Sequence, residues 1–281
     1  MTVANVRLIY DNAADRAALT ASPALVSTLP VANLQDPSRS RPARTTSLAT
    51  QVITGNWSVL EMVGGMALSR HNLSSAATLQ LELFSGSGLT GTLLFDSGEV
   101  LAVSAFGWGE FGWGMTGWGG SVFDSWPDRF SNLYFTAVLA RSFRLTIKDA
   151  SNAAVYMQMG RLFLGPCFEP VSNMSYGLTC GPQEDSRQAR TDGGTLRTDP
   201  QGSYRRWAFD LDCVEPAERA TLTEILRLKG KRTDMFINCF PGAGGVQERD
   251  HAGAVKLTQL PQPSLDGYEL WSLKQLEFEE A

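Results

Sequence analysis

A chain of 281 residues with 43% hydrophobic content can bury a large core, and this length suits two domains better than one. Residues 1–168 hold 11 basic and 11 acidic side chains and residues 169–281 hold 13 and 18, so the net charge of −5 belongs to the C-terminal part. No basic field fit to hold a nucleic-acid backbone exists, no run of 18 apolar residues marks a membrane span, and the N-terminus lacks a basic stretch followed by an apolar core; neither sequence-specific nucleic-acid binding nor a membrane partner is expected, and synthesis in a cytosol is.

From the N-terminus, Val3 to Asn12 reads as a short strand and Ala13 to Leu34 as an extended segment broken by Pro23 and Pro30. Asp36-Pro37-Ser38-Arg39-Ser40-Arg41-Pro42 is turn chemistry. Strands are expected from Gln51 to Met66, from Met66 to Arg70, and from Thr78 to Phe84, where Leu79, Leu81 and Leu83 share a face. Gly86, Gly88 and Gly91 have GxGxxG spacing, but a strand, Thr92 to Phe95, follows where a dinucleotide site needs a helix, so a hairpin turn is expected.

Phe106 to Trp126 is rich in glycine, with Trp108, Trp113 and Trp118 each between glycines and Trp126 at the end. Five-residue spacing turns by about 140° on a helix and swaps faces on a strand, so neither element aligns the rings. A loop is expected, and its aromatics need something to cover. Three destinations stay open: the loop's own sandwich, another subunit or protein, or a glycan or membrane surface. These four tryptophans form a candidate interaction loop.

Asn132 to Val138 and Ala140 to Ile147 read as strands; in the second, Phe143, Leu145 and Ile147 alternate with Arg144, Thr146 and Lys148. After a turn at Asp149-Ala150-Ser151-Asn152, the stretch from Tyr156 to Pro170 begins with period two and ends in Gly165, Pro166 and Pro170. It reads as the passage between two modules, 1–168 and 169–281.

In the second module Val171 to Thr179 reads as a strand, and 181–202 is polar, rich in Gly, Asp and Arg, and reads as a long loop that is mobile or orders against a neighbour. Arg187, Arg190 and Arg197 mark it as a candidate arm. Tyr204 to Val214 is a clear strand, with Trp207, Phe209, Leu211 and Cys213 alternating with polar residues. Glu215-Pro216 opens a helix over 216–229 that Gly230 stops. Thr233 to Phe240, Ala254 to Leu260 and Tyr268 to Phe278 complete the module as strands.

Chemical motifs are sparse. Cys167, Cys180, Cys213 and Cys239 show no CxxC spacing and read as reduced, mostly buried thiols. His71 and His251 are the only histidines, without a Gly-x-Ser-x-Gly elbow or ligand spacing, and His71 suits a strand end better than catalysis. Asp210 and Asp212 face one side of a strand, as on a solvated face. No catalytic residue, metal or cofactor is expected, and the chain does not read as an enzyme.

The succession Asn33-Leu34-Gln35-Asp36, Met66 to Leu73, Leu79 to Phe84, Phe143 to Ile147 and Gly160 to Gly165 resembles discoidin-like, galactose-binding-type β-sandwiches of tailed-phage tail proteins. The resemblance covers most of 1–168 and implies a jelly-roll sandwich; sugar binding does not follow from it. The second module, with its strand, long loop, strand, single helix and three strands, resembles the tube-like fold of phage tail and baseplate proteins. Together they resemble a distal tail or baseplate protein with its two domains in reversed order. That implies a mainly β fold and a structural subunit at the virion tail tip, assembled in the bacterial cytoplasm as a homo-hexameric ring, with a trimer as alternative. Its implied partners are the tail tube protein, the baseplate hub, the tape-measure protein and a fibre or receptor-binding protein. The alternative role is a host-surface carbohydrate-binding module.

Overall fold

The computed structural model describes residues 4–103, 123, 126 and 128–281. The protein is mainly β, with antiparallel sheets, and divides into two compact units: residues 1–169 with 235–253, and residues 170–234 with 254–281. Residues 235–253, expected in the second module, belong to the first unit.

The first unit is organised on its two longest strands, Gln51–His71 and Arg129–Lys148, paired antiparallel from Gln51↔Ile147 to His71↔Arg129. The expected breaks at Met66 and Leu139 do not occur: Met66 pairs with Leu133 and Leu139 with Met62 inside continuous strands, and the register shifts lie elsewhere, between Asn56 and Glu61, between Val63 and Gly65, and between Ser69 and His71. Ala18–Ser22 lines the first half of Gln51–His71, and Arg161–Gly165 lines the second. On the far side of Arg129–Lys148, Thr78–Phe84 pairs with its C-terminal half and carries Leu93–Asp96 and Val100–Leu101 in turn.

Alternation explains which face is dry. Ile53, Leu79, Leu81, Leu83, Phe143, Leu145 and Ile147 are buried, each contributing about 1.5–3 kcal/mol by leaving water. Arg144, Thr146 and Lys148 point the other way, as expected. Trp57 packs 5.2 Å from Phe143 and donates its indole N–H to Ala13 O at 2.8 Å. Gly55 is needed where Phe143 crosses it, because a Cβ there would lie 2.1 Å from the ring. Gly86, Gly88 and Gly91 shape the hairpin between Thr78–Phe84 and Leu93–Asp96, with Gly86 N–H donating to Thr90 O at 2.9 Å.

Residues 235–253 join this unit through contacts remote in sequence. Met235–Asn238 pairs with Arg7–Ile9, whose other edge takes Cys167–Phe168. Phe236 lies 5.6 Å from Phe130 and 5.9 Å from Phe163. In the short helix Gly245–Asp250 the buried Glu248 carboxylate accepts from Asn238 Nδ2 at 2.7 Å, Gly244 N at 2.9 Å and Asn132 Nδ2 at 3.0 Å. A buried carboxylate with three donors is satisfied, and losing one strands a charge.

In the second unit Ser203–Val214 has Trp271–Glu280 on one edge and Thr179–Glu184 on the other. Residues 255–257 pair with the far side of Trp271–Glu280, and Pro263–Leu265 pairs with its first half. Trp207, Phe209, Leu211, Leu273, Leu276 and Phe278 are buried, with Phe209 stacked 5.9 Å from Phe278. The helix Pro216–Lys229 forms where expected: Pro216 opens it, the Glu218 carboxylate accepts from Glu215 N–H at 3.1 Å, and Gly230, at φ +51°, donates to Leu226 O at 3.0 Å. Two expectations fail here. Residues 171–178 form no strand, and 181–202 is no loop. Its first residues end the strand Thr179–Glu184, and the rest folds into a hairpin of Arg187–Arg190 against Leu196–Asp199.

Candidate assembly surfaces

The hairpin follows from its turn. Thr191 N–H donates to Thr195 O at 3.0 Å and Gly194 N–H to Thr191 O at 2.8 Å, with Gly194 at φ +80°, a conformation open to glycine. Asp192-Gly193-Gly194 is therefore a hairpin tip. At its base, Gln201 N–H donates to Ser186 Oγ at 2.9 Å, Ser186 Oγ donates to Glu184, and Tyr204 OH donates to Asp185 at 3.2 Å. These bonds carry the pairing of Thr179–Glu184 with Ser203–Val214 outward into an arm of roughly 20 Å from Ser186 to the tip, at about 3.3 Å per residue.

Every residue of both arm strands is exposed. Cross-strand partners share a face, so Arg187 and Asp199 stand with Ala189 and Arg197 on one side, and Gln188, Thr198, Arg190 and Leu196 on the other. The three candidate arginines thus meet on one arm but divide between its faces, and Arg190 Nη1 donates to Gly194 O at 3.1 Å. Thr179–Glu184 lies at the end of the strand order, and Pro182 removes one donor from that edge.

Of the candidate tryptophans, Trp108, Trp113 and Trp118 lie outside the described residues. Trp126 is half-buried with the Arg249 guanidinium 4.3 Å from its ring centre, and its backbone N–H donates to Phe123 O at 3.0 Å. Phe123 is buried edge-on to Phe130 at 5.1 Å.

The remaining titratable candidates are tied into the scaffold. His71 ends its strand, buried; Nδ1 accepts from Leu73 N–H at 3.2 Å and Nε2 donates to Ser131 Oγ at 2.9 Å, while Ser131 donates on to Ala102 O. Burial, helped by the Arg129 charge, pushes the imidazole down to about 3, so it stays neutral. His251 Nδ1 donates to Gln247 O at 2.8 Å. Asp212 accepts from Lys274 and from Ser175, and the Lys274 hydrogen bond holds its carboxyl below the usual range; Asp210 accepts from Gln275 N–H at 2.7 Å. Cys239 is buried, Cys167 and Cys180 are half-buried and Cys213 is exposed; burial pushes the Cys167 thiol up to about 11. Among the described residues no group of three His, Cys, Asp or Glu could hold a metal, and no helix is long and apolar enough to cross a membrane.

The wet face of the first unit's main sheet carries a row across its strands. Thr20, Thr54, Arg144, Glu82 and Asp96 lie side by side, Arg144 clasps Glu82 with two hydrogen bonds, and Gln80 donates to Asp96 at 2.9 Å. The Phe84 ring lies 5.8 Å from the Arg144 guanidinium.

No protein-family profile and no curated protein matches this chain. Among solved structures it is similar to chitosan-binding module 1 of a chitosanase/glucanase from Paenibacillus sp. IK-5, with TM-score 0.40 and 14% identity over 56% of this chain and 99% of that one. A Streptococcus pneumoniae fucose-binding module is similar at TM-score 0.37 and 11% identity over 55% of this chain and 94% of the module. A Ruminococcus gnavus GH29 fucosidase is similar at TM-score 0.37 and 13% identity over 57% of this chain, the match taking in 27% of the fucosidase.

Proposed function

We propose that this chain is a structural subunit of a phage tail tip or baseplate, a building block and not a catalyst. Copies close into a ring, six in the first instance and three as the alternative, joining the tail tube to the tip around a channel for the tape-measure protein. The observation behind this reading is the arm. Its two four-residue strands are exposed throughout and its outer edges have no ladder partner among the described strands. A lone two-stranded hairpin is at best marginally stable in water, and free edges are templates for another chain. Such an arm supports a partner-ordered role better than a catalytic one.

The test is the size of the purified full chain in sedimentation and negative staining, beside a variant with 187–199 replaced by a short Gly-Ser turn. A ring for the parent and at least a hundredfold weaker association for the variant is the expected result. Parent and variant that both remain monomeric, even with tail tube protein added, overturn the reading.

A second reading, a host-surface carbohydrate-binding module, is favoured by the row of Arg144, Glu82, Gln80 and Asp96 beside Phe84. Planar hydrogen-bonding groups next to an aromatic ring suit sugar hydroxyls and C–H faces. A glycan array read with the parent and with Arg144→Ala decides it. Retention that the variant loses supports it, and no retention removes it.

A further inference from the structure

Two exposed apolar surfaces, one on each unit, each hold an ionic group with no ion-pair partner among the described residues. On the first unit the two longest strands lose their pairing between Asn56 and Glu61, and Ser58, Val59 and Leu60 stand out into solvent. Met62, opposite Leu139 in the ladder, extends the patch, and all four apolar side chains are at least half exposed. Arg141, two residues from Leu139 and on the same strand face, donates Nη2 to Ser58 O at 2.9 Å and has no carboxylate partner among the described residues. On the second unit the turn between Pro263–Leu265 and Trp271–Glu280 is closed by Asp266 N–H donating to Leu270 O at 3.2 Å. It presents Leu265, Leu270 and Tyr268, the last 92% exposed. Between them sits Glu269, exposed, at φ +60°, its carboxylate without a partner among the described residues.

Resting on the ring reading above, we infer that the 265–270 turn of one copy docks on the Val59, Leu60, Met62 and Leu139 patch of a second copy, with Glu269 against Arg141. The surfaces match in both properties that decide association: each is apolar at its centre and each holds the charge the other lacks. A contiguous exposed apolar patch rimmed by polar groups is a candidate interaction surface. Because the two surfaces differ, the contact is head to tail and repeats from copy to copy, which closes a ring where the rotation allows. Each copy then makes this contact twice, once with each surface. A standard interface buries roughly 800 Å² per partner, and the arm and this contact act together.

Charge exchange tests the pairing on the full chain. Arg141→Glu and Glu269→Arg each place like charges together and are expected to weaken self-association at least tenfold by sedimentation; the two combined return it to within about threefold of the parent. Both positions are exposed, so melting curves unchanged from the parent confirm folding, and Tyr268→Ala, which alters no charge, weakens association at every salt concentration. If the parent assembles while single reversals leave it unchanged, or the double variant is no better than the singles, this contact is wrong and the ring reading stands. If the parent does not assemble at any concentration, the ring reading falls and this contact with it.

Discussion

The ladder between Gln51–His71 and Arg129–Lys148 and the ladder between Arg187–Arg190 and Leu196–Asp199 use the same backbone bonds, yet only the first buries side chains. In the first, Ile53, Phe143, Leu145 and Ile147 set the register, because a slip of one residue would turn them outward. In the second every side chain stays exposed, Ala189 and Leu196 included, and the turn sets the pairing. One ladder is stabilised by what it buries, and the other leaves its side chains exposed throughout.

The comparison breaks most directly at Phe143. Phe143→Ala removes a fully buried ring between Trp57 and Gly55, and urea unfolding is expected to show a loss of about 3–5 kcal/mol. A loss under about 1 kcal/mol would mean that this ladder is not the core of its unit. Next in size is the acid response. His71 titrates near 3 when folded and near 6.5 when unfolded, so its contribution is complete above pH 6.5 and falls as pH drops from about 6.5 towards 3. The slope is at most about 1.4 kcal/mol per pH unit. His71→Gln, compared with the parent across that window, is expected to flatten the curve; identical pH dependence would show that the ring is not held neutral. Smallest is the arm. Changing Arg187, Arg190 and Arg197 together to Ala is expected to alter unfolding stability by less than about 0.5 kcal/mol while weakening assembly about tenfold. A large loss of stability would show that the arm supports its own subunit.

The same contrast explains what could be read from the chain. Phe143, Leu145 and Ile147 alternating with Arg144, Thr146 and Lys148 announce a half-buried strand, and Glu215-Pro216 with Gly230 frames the helix to the residue. The placement of 235–253 was not legible, because Glu248 is held by Asn132, 116 residues away, and such a bond leaves no local pattern. Polar residues on both arm faces have no hydrophobic period, so 181–202 reads as a loop. Asp192-Gly193 between equal four-residue runs was the available hairpin signal. Of the candidate site residues, the three arginines belong to one element that composition marked as an arm, and their division between two faces needed the register.

Hydrogen exchange at the amides of 187–190 and 196–199, followed in the full chain as concentration carries it from monomer to assembly, tests most directly whether a neighbour orders the arm. Near-unprotected exchange in the monomer, slowed at least about a hundredfold in the assembly, is the expected result. Equal protection in both states would show that the arm is stable by itself and contradict its role as the joining element.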